Sequence, residues 1–303
     1  SEGVSIASRG LMEWDTTISV PLGVGENKIQ VSVMNELGLE NFKYPTYVNY
    51  TPEQTVASKT YFVGIGVNKF MEEKYNLKYC VSDVDSLNNA LSKYGEVVAV
   101  LLKDEQVTAD NVRAIKQTLL QTTVQDRVII ACSSHGVLDK KNNFYLAMHD
   151  MDFNNPSKKG LPYEDLEDLL DSIPARKKLM LLDACNSGEN EIKEQQTAQT
   201  DDLAVNQPQK AEENTKGVVF EYNENTATQK SSFETMMELF VNVNNTTGSV
   251  ILSAAGGKES ALEAIEVDGK IITNGAFTYS ILEYINKNKT VSVNALKSYV
   301  EER

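Results

Sequence analysis

Arg127-Val-Ile-Ile-Ala-Cys-Ser-Ser-His135-Gly136 is an apolar strand that ends in small residues, a histidine and a glycine. Lys178-Leu-Met-Leu-Leu-Asp183-Ala-Cys185-Asn-Ser-Gly188 repeats the plan and ends in an acid, a cysteine and a glycine turn. Working outward, runs of this buried kind alternate with helical periodicity. Residues 61–67 and 96–102 read as strands, followed by 127–132, a shorter 144–148, and 178–183. Between them, Ser82 with Asp85 caps a helix whose apolar face is Leu87, Ala90, Leu91 and Tyr94. Thr108 opens a helix carrying Val112, Ile115 and Leu119, and Leu161-Pro162 opens one carrying Leu166, Leu169, Leu170 and Ile173. Residues 250–254 add a strand, residues 265–273 a hairpin around Asp268-Gly269, and helices from about Gly275 and Ser292 complete the chain. Such alternation calls for an α/β fold with a largely parallel central sheet flanked by helices on both faces.

The first fifty residues read differently. Residues 14–20 are β-rich, Gly25-Glu26-Asn27 reads as a turn, and Ile29, Val31 and Val33 alternate with Lys28, Gln30 and Ser32. Asn35-Glu36-Leu37-Gly38 reads as a second turn and residues 44–50 as a third strand. That pattern predicts a partial immunoglobulin-like β domain over residues 1–52, a linker over 53–59, and the α/β domain over 60–303. Residues 189–230 are polar and poor in large apolar side chains, and read as a flexible linker dividing the α/β domain into 60–188 and 231–303. Beyond it, Ser231 and Glu234 form a capping box ahead of Phe233, Met236, Met237 and Phe240 at helical spacing, a stripe read as core. The start, Ser1-Glu2-Gly3, reads as a processed or trimmed terminus, with further domains of the same protein expected upstream.

A net charge of −14 and the lack of a basic stripe interleaved with aromatics exclude nucleic acid as the expected partner. No apolar run is long enough to span a membrane. Cysteine is sparse and odd in number (Cys80, Cys132, Cys185), with no close pair. This argues against a disulfide framework and a zinc site, and for a reducing, cytoplasmic setting. Only two histidines exist, His135 and His149.

In open parallel sheets ligands bind outside the carboxyl ends of the strands, so the ends of 127–132 and 178–183 share a crevice if the strands are neighbours. A thiol needs a nearby base to supply thiolate at neutral pH, and histidine is the usual one. Taken alone, a cysteine at a strand end is a small buried hydrophobe, and a lone histidine beside glycine is structural. The conjunction of both, each after an apolar strand, is what points to chemistry. Asp183 and Cys185 are two apart, as are Ser133 and His135, so extended geometry would put Asp183 and Ser133 beside the pair. A carboxylate there would welcome an arginine or lysine side chain. Cys132 and His149 read as structural.

Ser133-Ser134-His135-Gly136 resembles the histidine motif of the caspase-like peptidases, and Asp183-Ala184-Cys185-Asn186-Ser187-Gly188 their cysteine motif, nearest to metacaspases and bacterial relatives. Tyr61-Phe-Val-Gly-Ile-Gly-Val-Asn-Lys resembles the family's first strand, and Leu77-Lys-Tyr-Cys-Val-Ser-Asp83 a stretch that follows it. The resemblance runs from about residue 59 to the end, and the separation of His135 from Cys185 by about 50 residues is the caspase spacing. It implies a caspase-like sandwich and a cysteine endopeptidase with His135 as base, Cys185 as nucleophile, and the amides of Gly136 and Cys185 as oxyanion hole. Asp83, Ser133 and Asp183 match positions lining an acidic specificity pocket, which implies polypeptide substrates with arginine or lysine before the scissile bond. Caspases proper carry Gln-Ala-Cys-x-Gly and cut after aspartate; Asp-Ala-Cys-Asn-Ser-Gly departs from that. Ser134 stands for the usual glycine and Asn186 for the usual histidine. The linker lysines, Lys193, Lys210, Lys216 and Lys230, are candidate self-cleavage sites in a zymogen. No cofactor is required; calcium is a candidate activator through Asp150, Asp152, Glu164, Asp165 and Glu189, with solvated surface carboxylates as the plainer reading. The alternative from another class is a catalytically silent caspase-like scaffold.

Overall fold

The computed structural model describes residues 17–33, 35, 39, 44–139, 141, 143–184, 209–210, 218–219, 249–254, 265–267, 269–288 and 290–302. Strands β1 (Gly25–Gln30) and β2 (Pro45–Tyr50) pair antiparallel, with Gly25 opposite Tyr50. Gly25-Glu26-Asn27, expected as a turn, is therefore the start of a strand. Asn27 bends its amide back to the Gly23 and Gly25 carbonyls, which satisfies the entry locally and lets pairing begin early. Residues 17–20, expected as strand, carry no strand pairing. Of the expected amino-terminal β domain, the described residues contain this one pair. Gln125 ties it to the rest, accepting from the Val24 amide and donating to the Leu22 carbonyl.

The α/β part runs β3 (Thr60–Gly66), α1 (Cys80–Leu91), β4 (Val97–Lys103), α2 (Ala109–Leu119), β5 (Arg127–Ser133), β6 (Gly136–Leu138), β7 (Phe144–Leu146), β8 (Leu161–Pro162), α3 (Tyr163–Leu170) and β9 (Lys177–Asp183). Two-residue strands β10 (Gln209–Lys210) and β11 (Val218–Val219) pair antiparallel within the expected linker. Then come β12 (Ser249–Ser253), the hairpin β13 (Ile265–Val267) and β14 (Lys270–Ile272), α4 (Ala276–Lys287) and α5 (Val293–Glu301). The helix expected from Ser231 lies outside the described residues.

The central sheet is five-stranded and parallel, in the order β12-β9-β5-β3-β4. Its strands are apolar on both faces because helices cover both, and period-two alternation divides the core. Val63, Ile65, Val128, Ile130, Met180 and Leu182 pack with Val112, Ile115 and Leu119 of α2 and Leu166, Leu169 and Leu170 of α3. Phe62, Ala131, Leu181 and Leu252 pack on the other face with Leu87 of α1, Phe277 and Ile281 of α4, and Leu296 of α5. Each such Val, Leu, Ile, Phe or Met side chain stabilises the fold by about 1.5–3 kcal/mol when fully buried.

Helix α1 starts at Cys80, ahead of the expected cap at Ser82. The Ser82 hydroxyl is engaged instead by the Tyr79 and Thr273 carbonyls. Its first turn lies directly on the end of β3. A Cβ on Gly66 would stand 2.7 Å from the Cys80 carbonyl oxygen, so glycine is what permits that approach. Thr108 caps α2, its hydroxyl accepting from the Asn111 amide. Gly275 and Ser292 sit at the N-caps of α4 and α5, and Gly269 at φ 74° turns the β13–β14 hairpin.

Candidate active site

The register fixes what meets at the carboxyl end of the sheet. Gly66, Ser133 and Asp183 are the last paired residues of β3, β5 and β9 and stand side by side. Two residues beyond the Ser133–Asp183 pair, one strand leads to His135 and the other to Cys185. Cys185 lies outside the described residues, which end in this region at the buried Ala184. The Cys80 and Cys132 side chains are buried in the core, and burial pushes the Cys132 thiol up to about 12, far from thiolate at neutral pH.

His135 is fully buried. Strand β5 stops at Ser133, so the extended geometry expected to carry on to His135 ends there. The imidazole packs among Phe70, Phe153 and Tyr75, with ring centroids 5.3, 5.9 and 6.4 Å away. Its Nε2 lies 2.8 Å from the Tyr75 carbonyl oxygen. A carbonyl only accepts, so Nε2 carries the hydrogen, and in the neutral form of the ring the lone pair then lies on Nδ1. The backbone around the ring is held as well. The Ala147 amide donates to the His135 carbonyl at 2.8 Å, and Gly136 opens β6 opposite Leu146. Ser134, in place of the usual glycine, is buried, and its hydroxyl donates to the Ala147 carbonyl at 2.8 Å. The serine is thus accommodated without an orphaned polar group.

The three expected pocket residues converge. The Ser133 hydroxyl donates to Asp83 Oδ2 at 2.8 Å, and Asp183 is the register partner of Ser133 on the next strand. Asp83, Ser133 and Asp183 are 0%, 2% and 2% exposed. Buried carboxylates need donors, and these come from the far end of the chain. Asn274 Nδ2 and the Gly275 amide donate to Asp83 Oδ1 at 3.1 and 2.9 Å, and Thr278 Oγ1 donates to Asp183 Oδ2 at 3.2 Å. Asp83 therefore also sits against the amino terminus of α4, where the helix dipole favours an anion. Tyr75, Phe70, Phe153, Asn274 and Thr278 were absent from the sequence reading. The Tyr75 contribution is a backbone atom and leaves no trace in residue type. Gly275 was visible only as a helix start.

Of the carboxylates expected to suit calcium, Asp150, Asp152 and Asp165 are in ion pairs. Asp150 pairs with Lys159 at 2.8 Å, Asp152 with Lys158 at 3.6 Å, and Asp165 with Arg113 at 2.7 Å. Glu189 lies outside the described residues. Among the described residues, no three His, Cys, Asp or Glu side chains group as a metal site, and no helix is long and apolar enough to cross a membrane.

The family model of the caspase domain (Peptidase_C14) matches residues 63–303. The crystal structure of protein GSU0716 from Geobacter sulfurreducens superposes with a TM-score of 0.50 at 15% identity, over 81% of this chain and 89% of that one. At that identity the likeness is one of fold. No curated protein matches the chain. The parallel sheet β12-β9-β5-β3-β4 with helices on both faces is the layering of that domain. With four-fifths of its length matched by the family model, the chain belongs to the caspase-domain family.

Proposed function

We propose that the protein is a cysteine endopeptidase that cuts after arginine or lysine, with Cys185 as nucleophile and His135 as general base. The observation that carries this reading is the 2.8 Å bond from His135 Nε2 to the Tyr75 carbonyl. It leaves the Nδ1 lone pair as the proton acceptor for a thiol arriving from the end of β9. Cys185 Sγ gives its proton to Nδ1 and attacks the scissile carbonyl carbon. The oxyanion takes hydrogen bonds from the Gly136 and Cys185 amides. The imidazolium then protonates the leaving amine as the C–N bond breaks, and water, deprotonated by the same ring, releases the acyl group as a carboxylate.

Asp83, Ser133 and Asp183 supply the acidic pocket for the residue before the cut. All three, like His135, are buried, which in this reading corresponds to a closed site. Opening requires the segment 273–275 to loosen its hold on Asp83 so that a guanidinium or ammonium group replaces it. The linker lysines are substrates of the same pocket, which makes self-processing part of the proposal, and calcium an arm of its test. The same closed packing also suits a second reading, a silent caspase-like module that binds partners without cutting them.

Matched fluorogenic peptides ending in Arg, Lys or Asp, given to wild type and Cys185→Ala with and without calcium, separate the two. Cys185-dependent release from the basic peptides supports the peptidase. Absence of release under every condition leaves the silent module.

A further inference from the structure

Among the described residues, the Ala147 amide on its carbonyl and the Tyr75 carbonyl on its ring hold His135. Tyr75 belongs to residues 67–76, which carry one short turn of helix, Glu73–Tyr75, as their regular structure. A chain of that kind keeps a carbonyl aimed at a buried ring only if its other polar groups are held. Within the segment and at its edge, Asn76 Oδ1 accepts from the Phe70 amide at 2.8 Å and the Asn68 carbonyl from the Leu77 amide at 2.8 Å, and two side chains reach in from outside it. Asp104 Oδ1 accepts from the amides of both Asn68 and Lys69, at 2.8 and 2.9 Å. His149 Nδ1 lies 2.7 Å from the Lys69 carbonyl and so donates to it, while the His149 carbonyl accepts from the Met71 amide at 3.0 Å.

These bonds close a circuit. The His149 amide donates to the Val107 carbonyl at 3.0 Å, and the Val107 amide donates to the Asp104 carbonyl at 2.8 Å. Asp104 has φ 46°, a left-handed conformation that a non-glycine residue holds only against a steric cost. The two amides gripped by its carboxylate give that conformation a purpose. His149 is only two residues from Ala147, so one short segment touches the His135 backbone at one end and the loop carrying Tyr75 at the other.

We infer that His149 and Asp104 are positioning residues for His135, holding the Tyr75 carbonyl on Nε2 and thereby keeping the lone pair on Nδ1. This rests on the reading of His135 as the general base, and its test separates the two. With only two histidines in the chain, isotope-labelled histidine gives two imidazoles to follow by magnetic resonance. The His135 Hε2 proton should exchange slowly in wild type. His149→Ala should speed that exchange by about tenfold, and lower kcat on an arginyl peptide about tenfold with KM within about twofold. His149→Asn, whose amide nitrogen takes the place of Nδ1, should restore both; His149→Gln, which offers nitrogen at the Nε2 position, should not. Asp104→Ala should reproduce the effect of His149→Ala. Unchanged Hε2 exchange in His149→Ala overturns the inference. Should that variant fail to fold, the Asn and Gln pair decides: faster exchange in Gln alone supports it, and equal exchange in both overturns it. If wild type shows no Cys185-dependent turnover, the peptidase reading fails and the exchange measurements still decide the positioning role.

Discussion

Ser133, the last residue of β5, donates its hydroxyl to Asp83 Oδ2 at 2.8 Å and so joins the end of the sheet to the first turn of α1. The other oxygen of the same carboxylate holds Asn274 and Gly275. Asp83 thus links three parts of the chain.

Removing charge from that pocket should weaken the handling of basic substrates before it affects the nucleophile. Asp183→Asn should lower kcat/KM on an arginyl peptide by about 10–100-fold, the range expected for a hydrogen bond to a charged group. Alkylation of Cys185 should continue at close to the wild-type rate. Turnover equal to wild type would refute the pocket assignment.

Reactivity of the three cysteines should be sharply unequal. Burial holds Cys132 at about 12, and Cys80 is fully buried, so at pH 7.5 iodoacetamide should add once to native wild type and not to Cys185→Ala. Intact-mass spectrometry reads the result directly. A second adduct on the folded protein would contradict the closed core.

Gly66→Ala should be costly, because the new Cβ would meet backbone at 2.7 Å and either β3 or α1 must shift. A loss of about 1–3 kcal/mol in urea unfolding is expected, as for overpacked cores. Displacing α1 also moves Asp83, so turnover of basic peptides should fall further than stability alone explains.

Lys178 is 8% exposed and its ammonium donates to the Leu170 carbonyl at 2.6 Å. Burial lowers its pKa from 10.5 to about 8. Between those values the unfolded chain binds the proton and the folded chain does not, so stability rises with pH across that window. The penalty is present in full below pH 8 and gone above about 10.5. Compared with Lys178→Met, wild type should gain on the order of 3 kcal/mol between pH 7.5 and 10.5. Parallel melting curves for the two proteins over that range would contradict the shift.

The layering was legible because uninterrupted apolar runs such as residues 61–67 alternate with helical periodicity, and strand ends show where apolar runs stop. That the strands ending toward His135 and Asp183 are neighbours was a condition in the sequence, and the sheet order supplies it. What escaped reading was of two kinds. The Tyr75 carbonyl is common to every residue, so nothing in the sequence marks it. Asn274 and Thr278 lie 191 and 95 positions from the carboxylates they serve, and only the fold makes them neighbours. Ser82 misled because a serine three residues before an acid is also found inside helices, where its hydroxyl has other partners.

The most direct test of the central claim is the release of fluorophore from matched Arg, Lys and Asp peptides by wild type and Cys185→Ala. Release from the Arg and Lys peptides that vanishes in Cys185→Ala, with the Asp peptide intact, is the predicted result. No release from either basic peptide, with or without calcium, or release that survives in Cys185→Ala, would contradict it.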